Sequence, residues 1–204
     1  MNAVMPIESQ LTPRKLAISP PMTDAELEAF CAANDGFRIE RTSDGVIWMN
    51  PPVGWESSSA NSEMNGQLYS WWRRHERGQA IADSSAGFYL ADGSMLSPDA
   101  AYVLPETMAG ARLKRRGGFY PVRPDFVVEL LSASDSLAEL QAKLERWIAN
   151  GVSLGWLIDP YQRKVFVYAA GRAMSVSAGK SIAGEGPVEG FTLDLERIWR
   201  CYGE

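Results

Sequence analysis

Histidine is nearly missing: the 204-residue chain holds one, His75, and only two cysteines, Cys31 and Cys201. With no CxxC pair and no second histidine, zinc sites, His-based triads and disulfide frameworks have no residues to build on. Long apolar runs are missing too; none approaches the ~20 residues that cross a bilayer. The opening MNAVMPIESQLTPRKLAISPP lacks the charged-then-apolar pattern of an export signal, so a cytoplasmic protein with free thiols and no membrane partner is expected. GxGxxG and GxxxxGK[ST] are absent, which argues against a nucleotide cofactor. A basic excess is absent as well, with 20 Lys and Arg against 25 Asp and Glu and a net charge of −5. That balance excludes a passive nucleic-acid coat, whose affinity comes from neutralising phosphates, but leaves room for a nuclease with an acidic metal pocket beside a local basic patch. Any chemistry must run on carboxylates and lysine.

What the chain does have is apolar residues, 46% of it, enough for a core. Residues 1–21 carry Pro6, Pro13, Pro20 and Pro21 with no sustained period and read as a flexible N-terminal arm; residues 22–204 read as a single domain. Thr23-Asp-Ala-Glu26 is a capping box opening a helix to about Ala33. FRIERT and VIWMN flank Ser43-Asp44-Gly45 as a hairpin, and Ser57–Ser59 offer caps for a helix to about Glu76. GFYLADG and SPDAAYVL read as short strands, residues 105–122 as a long loop, and Asp125–Leu131 as the most strand-like run. Ser136-Leu-Ala-Glu139 is a second capping box, starting a helix that ends at Asn150-Gly151; LGWLID and KVFVYAA then form a hairpin. Helices flanking a mixed sheet make the fold class α/β.

Alternation along 125–131 puts Asp125, Val127, Glu129 and Leu131 on one face. A carboxylate inside Phe-Val-Val-Glu-Leu-Leu is costly unless compensated, whether by a salt bridge, by water at the strand end or by a metal. If residues 99–104 pair antiparallel with this strand, Asp99 falls beside Glu129 and away from Asp125, which lies about 13 Å from Glu129 at ~3.3 Å per residue. Two neighbouring carboxylates repel, and oxygen-only ligation favours Mg²⁺ or Mn²⁺. On the helix after Ser136, Lys143 borders the apolar stripe of Leu140, Leu144 and Trp147, within reach of the Glu129 end. For a lone lysine at that position, a snorkelling side chain or an i,i+4 pair with Glu139 is the plainer reading.

SPDAAYVL, RPDFVVELLSASDS and LQAKLERWIANGVSLGWLIDPYQRKVFVY together resemble the Uma-type family of bacterial restriction-endonuclease-like proteins, within the PD-(D/E)XK nuclease superfamily, from about Thr23 to the C-terminus. The resemblance implies a restriction-endonuclease-like core and Mg²⁺-dependent hydrolysis of DNA phosphodiester bonds. It implies Asp99 and Glu129 as catalytic metal ligands. Leu131 stands where the superfamily lysine would be, and Lys143 matches the alternative catalytic lysine on the following helix. Asp125, Glu40 and Glu63 match auxiliary acids, while Asn61 or Ser62 stands where many relatives carry a histidine. On this reading Lys143→Ala or Asp99→Ala abolishes cleavage with native circular dichroism. The departure at Leu131 keeps a second reading open, a non-catalytic nuclease-fold module for binding or assembly; a homodimer is expected. Arg112, Lys114, Arg115 and Arg116 form the densest basic run, read either as a phosphate-tracking DNA contact or as a solvated loop. Trp55, in a Pro/Gly loop, is the better candidate for base stacking, and the other tryptophans fit core positions.

Overall fold

The computed structural model describes residues 13–75, 80–110 and 118–203. Strand β1 (Arg14–Leu16) leads into helix α1 (Asp24–Ala33), whose capping box is complete: Thr23 Oγ1 accepts from the Glu26 amide, and Glu26 accepts from the Thr23 amide. The hairpin β2 (Arg38–Arg41) and β3 (Ile47–Asn50) turns through Gly45 at φ +84°, a left-handed conformation glycine adopts freely. Helix α2 (Trp55–His75) starts two residues before the serines expected to cap it. β4 (Ala80–Asp83) follows, then β5 (Phe88–Tyr89) and β6 (Met95–Leu96), folded about Asp92-Gly93-Ser94. β7 (Ala100–Val103) runs into α3 (Pro105–Ala109), a helix where a loop was expected. Pro105 sits in its first turn, where proline's missing N–H costs nothing. β8 (Phe126–Leu130), α4 (Leu137–Ala149) and β9 (Leu154–Asp159) make a strand–helix–strand crossover. β10 (Lys164–Ala169), β11 (Ser175–Ala178), β12 (Ser181–Ala183), β13 (Thr192–Asp194) and α5 (Leu195–Arg200) complete the chain.

The strands form a five-stranded sheet β1-β3-β2-β6-β5, a six-stranded sheet β11-β10-β9-β8-β7-β4 and the β12-β13 hairpin. In the six-stranded sheet β8 and β9 are parallel, as the α4 crossover requires, and the other neighbours are antiparallel. The alternation in β8 sorts its side chains as expected. Phe126, Val128 and Leu130 pack with Met64, Leu68 and Trp71 of α2, while Val127 packs with Leu140, Leu144 and Trp147 of α4. Gly155 in β9 lets α4 settle onto this second face: a Cβ there would stand 2.5 Å from Leu144 Cδ1.

Two expectations need correction. The arm over 1–21 is not free where it is described, because Arg14–Leu16 pairs with β3. Lys15 lies over the Trp48 ring at 4.3 Å and forms an ion pair with Glu139. That pair takes Glu139 away from the second capping box, and Ser136 makes no side-chain cap bond. The basic run Arg112, Lys114, Arg115 and Arg116 lies outside the described residues.

Candidate active site

The five-stranded sheet meets the six-stranded one where β6 passes through Ser97 into β7. Arg38 and Glu40, two apart on β2, share a face by the strand period, and the Ser97 amide donates to Glu40 Oε1 at 2.7 Å. β7 pairs antiparallel with β8, with Ala100 opposite Val128 and the Asp99 amide on the Val128 carbonyl at 3.0 Å. Asp99 therefore falls at the Glu129 end of β8. Its Oδ2 accepts the Leu130 amide at 2.8 Å and its Oδ1 the Arg38 guanidinium at 2.6 Å.

Lys143 arrives from α4, next to the Leu144 that rests on Gly155. Its ammonium has three protons and three acceptors, each at 2.9 Å: the Ser97 carbonyl, Glu129 and Glu40 Oε1. Trp147, one helical turn on, donates Nε1 to Glu129 Oε1 at 2.9 Å. Glu129 is wholly inaccessible, and Glu40, Asp99 and Lys143 are buried. The i,i+4 pairing of Lys143 with Glu139 is not formed.

Three buried carboxylates thus face the buried Lys143 ammonium and the partly exposed Arg38 guanidinium. Burial pushes the Glu129 carboxyl up; Lys143 opposes this, Asp99 and Glu40 reinforce it, and the group comes to about 7. Burial also drives Glu40 upward, but Lys143, Arg38 and the Ser97 amide outweigh it and its pKa is lowered. Burial alone would depress Lys143; Glu129 and Glu40 override it and hold the side chain as an ammonium. Lys143 is thereby set up to stabilise negative charge rather than to take a proton.

The cluster lies between two openings. A cleft of about 560 Å³ exposes Asp99, Arg38, Asn50, Asn61 and Ser97. On the other side a cavity of about 180 Å³ reaches Glu40 and Lys143 between Trp48, Leu96 and Ala142. Glu129 lines neither. Among the described residues no three His, Cys, Asp or Glu side chains stand as a ready-made metal cluster. The donors around Asp99 and Glu129 are all hard oxygens, a chemistry that suits Mg²⁺ or Mn²⁺, provided Arg38 and Lys143 each yield a carboxylate oxygen.

The structure brings together Asp99, Glu129, Lys143 and Glu40. It does not bring in Asp125, at the opposite end of β8. That carboxylate accepts from Arg123 at 2.7 Å, the Leu104 amide at 2.8 Å and Thr107 at 3.2 Å, tying β8 to the start of α3. Nor does it bring in Glu63, which pairs with Arg197 at 2.7 Å and accepts from Gln67. Sequence reasoning missed Arg38, although its spacing from Glu40 in FRIER carried the signal. It also read Trp147 as packing alone, when its indole nitrogen fixes Glu129. The Ser97 carbonyl left no sequence signal.

A mixed sheet with acids at its corner and a lysine delivered by the crossover helix defines a restriction-endonuclease-like fold. The chain belongs to the Uma2 family, described as "Putative restriction endonuclease", whose model matches residues 24–196. Its structure is similar to the crystal structure of a putative nuclease belonging to DUF820 from Anabaena variabilis ATCC 29413. The TM-score is 0.65 at 20% identity, covering 80% of this chain and 90% of that one. No curated protein matches the sequence. No helix among the described residues is long and apolar enough to cross a membrane.

Proposed function

We propose that the protein is an endonuclease that hydrolyses DNA phosphodiester bonds with Mg²⁺ or Mn²⁺, using Asp99, Glu129 and Lys143. The observation that carries this reading is the gathering of three buried carboxylates at the end of β8, Glu129 and Glu40 on the buried Lys143 ammonium and Asp99 on Arg38, with Asp99 lining a cleft. Asp99 and Glu129 would hold the ion, which when bound supplies positive charge to the scissile phosphate and acidifies a water. Asp99 is the donor that faces the cleft. Arg38, on releasing Asp99 Oδ1, is within side-chain reach of a phosphate oxygen there. Lys143 remains an ammonium, keeps Glu40 charged, opposes the rise of the Glu129 pKa and offsets the negative charge that builds on the phosphate. Trp147 fixes the rotamer of Glu129. Cutting both strands of a duplex calls for two such sites, which fits a homodimer.

A second reading, a non-catalytic binding or assembly module, is favoured by one observation: Asp99 and Glu129 already have protein cations as partners. Thermal unfolding with and without Mn²⁺, in wild type and in Glu129→Gln, separates the two. A Mn²⁺-dependent rise in Tm that the variant lacks, together with Mg²⁺-dependent nicking of plasmid DNA, supports the enzyme. A Tm unmoved by metal, with intact plasmid, supports the module.

A further inference from the structure

Four buried side-chain polar atoms among the described residues have no hydrogen-bond partner: Arg38 Nε, Asn61 Oδ1, Asn65 Oδ1 and Trp71 Nε1. Three of the four belong to residues gathered around Asp99. Arg38 binds its carboxylate. Asn65 Nδ2 donates both to the Asp99 carbonyl at 3.1 Å and to the Asn61 carbonyl at 2.9 Å, pinning the second turn of α2 against the start of β7. Asn61 lines the large cleft with Asp99, and the two also line a separate cavity of about 20 Å³ with Arg38 and Leu130. A space of that size holds one water or one ion, since ~10–15 Å³ suffices for a single occupant.

An orphaned acceptor in a folded protein calls for a partner, commonly a water or an ion. The occupant here has to offer a proton or positive charge to Asn61 Oδ1. It has to accept toward β2, where Arg38 Nε offers a proton. A water meets both demands, and so does a divalent cation in the small space with a phosphate oxygen in the adjoining cleft; a carboxamide oxygen is a hard donor of the kind such a cation takes.

We infer that Asn61 supplies an oxygen ligand to the divalent ion, completing with Asp99 a donor set that the acidic residues alone leave short; the inference rests on the nuclease reading above. It accounts for two facts together: no cluster of three metal-ligating acids is present among the described residues, and the residue with the unpartnered oxygen lines the same cleft as Asp99.

The test is Mn²⁺ binding to the full chain without DNA, followed by calorimetry and by the loss of the free Mn²⁺ spin-resonance signal. Wild type, Asn61→Ala, Asn61→Asp and Asp99→Asn are compared. Alanine is favoured in helices, so Asn61→Ala retains α2, which far-ultraviolet circular dichroism checks. Asn61→Ala is expected to weaken Mn²⁺ binding about tenfold or more, Asn61→Asp to bind at least as tightly as wild type, and Asp99→Asn to lose binding. Wild-type affinity in Asn61→Ala, alongside loss in Asp99→Asn, would overturn the role of Asn61 and leave the metal-dependent nuclease standing. Asn61→Asp binding more weakly than Asn61→Ala would also overturn it, because a carboxylate cannot be a poorer donor than a methyl group. Absence of Mn²⁺ binding in wild type would remove both readings.

Discussion

The ammonium of Lys143 lies 2.9 Å from the carboxylate of Glu129, with both groups out of water. Breaking such a pair from one side strands a buried charge, which costs about 3–5 kcal/mol. Lys143→Met, which keeps the stem and deletes the charge, is therefore expected to lower urea stability by about that amount. Adding Glu129→Gln to it should recover part of the loss. The sequence-based expectation that truncating Lys143 leaves the fold undisturbed is revised accordingly, and activity in Lys143 variants has to be read alongside stability.

Burial and the neighbouring acids raise the Glu129 pKa to about 7 from an ordinary 4.5. A folded state that binds a proton more tightly than the unfolded chain loses stability as pH rises between those two values. Glu40 is shifted the other way, so its contribution is present above the ordinary glutamate pKa and is lost as pH falls through its lowered folded value. The expected result is a wild-type Tm that drops by about 2 °C or more between pH 5 and pH 8, with the drop diminished in Glu129→Gln. Equal pH profiles for the two proteins would contradict the assignment to Glu129.

Arg38 holds Asp99 Oδ1 at 2.6 Å. Arg38→Met should release that oxygen and tighten Mn²⁺ binding several-fold. It should also remove a cleft-side donor and lower the cleavage rate constant about 100-fold. Calorimetry and single-turnover cleavage measure the two opposed effects separately.

Gly155→Ala would bring a methyl group to 2.5 Å from Leu144 Cδ1. Overpacking of this kind costs about 1–3 kcal/mol. Because Lys143 precedes Leu144, lifting α4 should reduce Mn²⁺ binding as well as stability. Trimming the obstructing side chain in Gly155→Ala/Leu144→Ala should relieve the clash. A double variant less stable than the sum of the single variants predicts would show that the contact does not govern the docking of α4.

The parts of the site legible in the sequence were those set by a period. Alternation in β8 put Glu129 and Val127 on one face, antiparallel pairing put Asp99 rather than Asp125 beside Glu129, and the helical stripe aimed Lys143 inward. The resemblance to a known family added Glu40, which the coordinates place on Lys143. What escaped depends on how separately folded pieces meet. The way the two sheets meet set the contact of Arg38 with Asp99, and no local pattern encodes it. Asp125 and Glu63 read as site acids because a carboxylate near a motif looks alike in sequence whether it faces a cleft or caps a helix. The ion pair of Lys15 with Glu139 joins elements far apart in the chain, so no local signal could show that the second capping box would stay unmade.

Glu40, Asp99, Glu129 and Lys143 come from four different elements, and the lysine is delivered last, by the crossover helix between the only two parallel strands of the larger sheet. Arg38 meets Asp99 without α4, but Glu129 and Glu40 have their ammonium only where α4 lies on the sheet. The glycine at 155 admits that helix, so a side chain there would part the sheet's acids from the group that tames them.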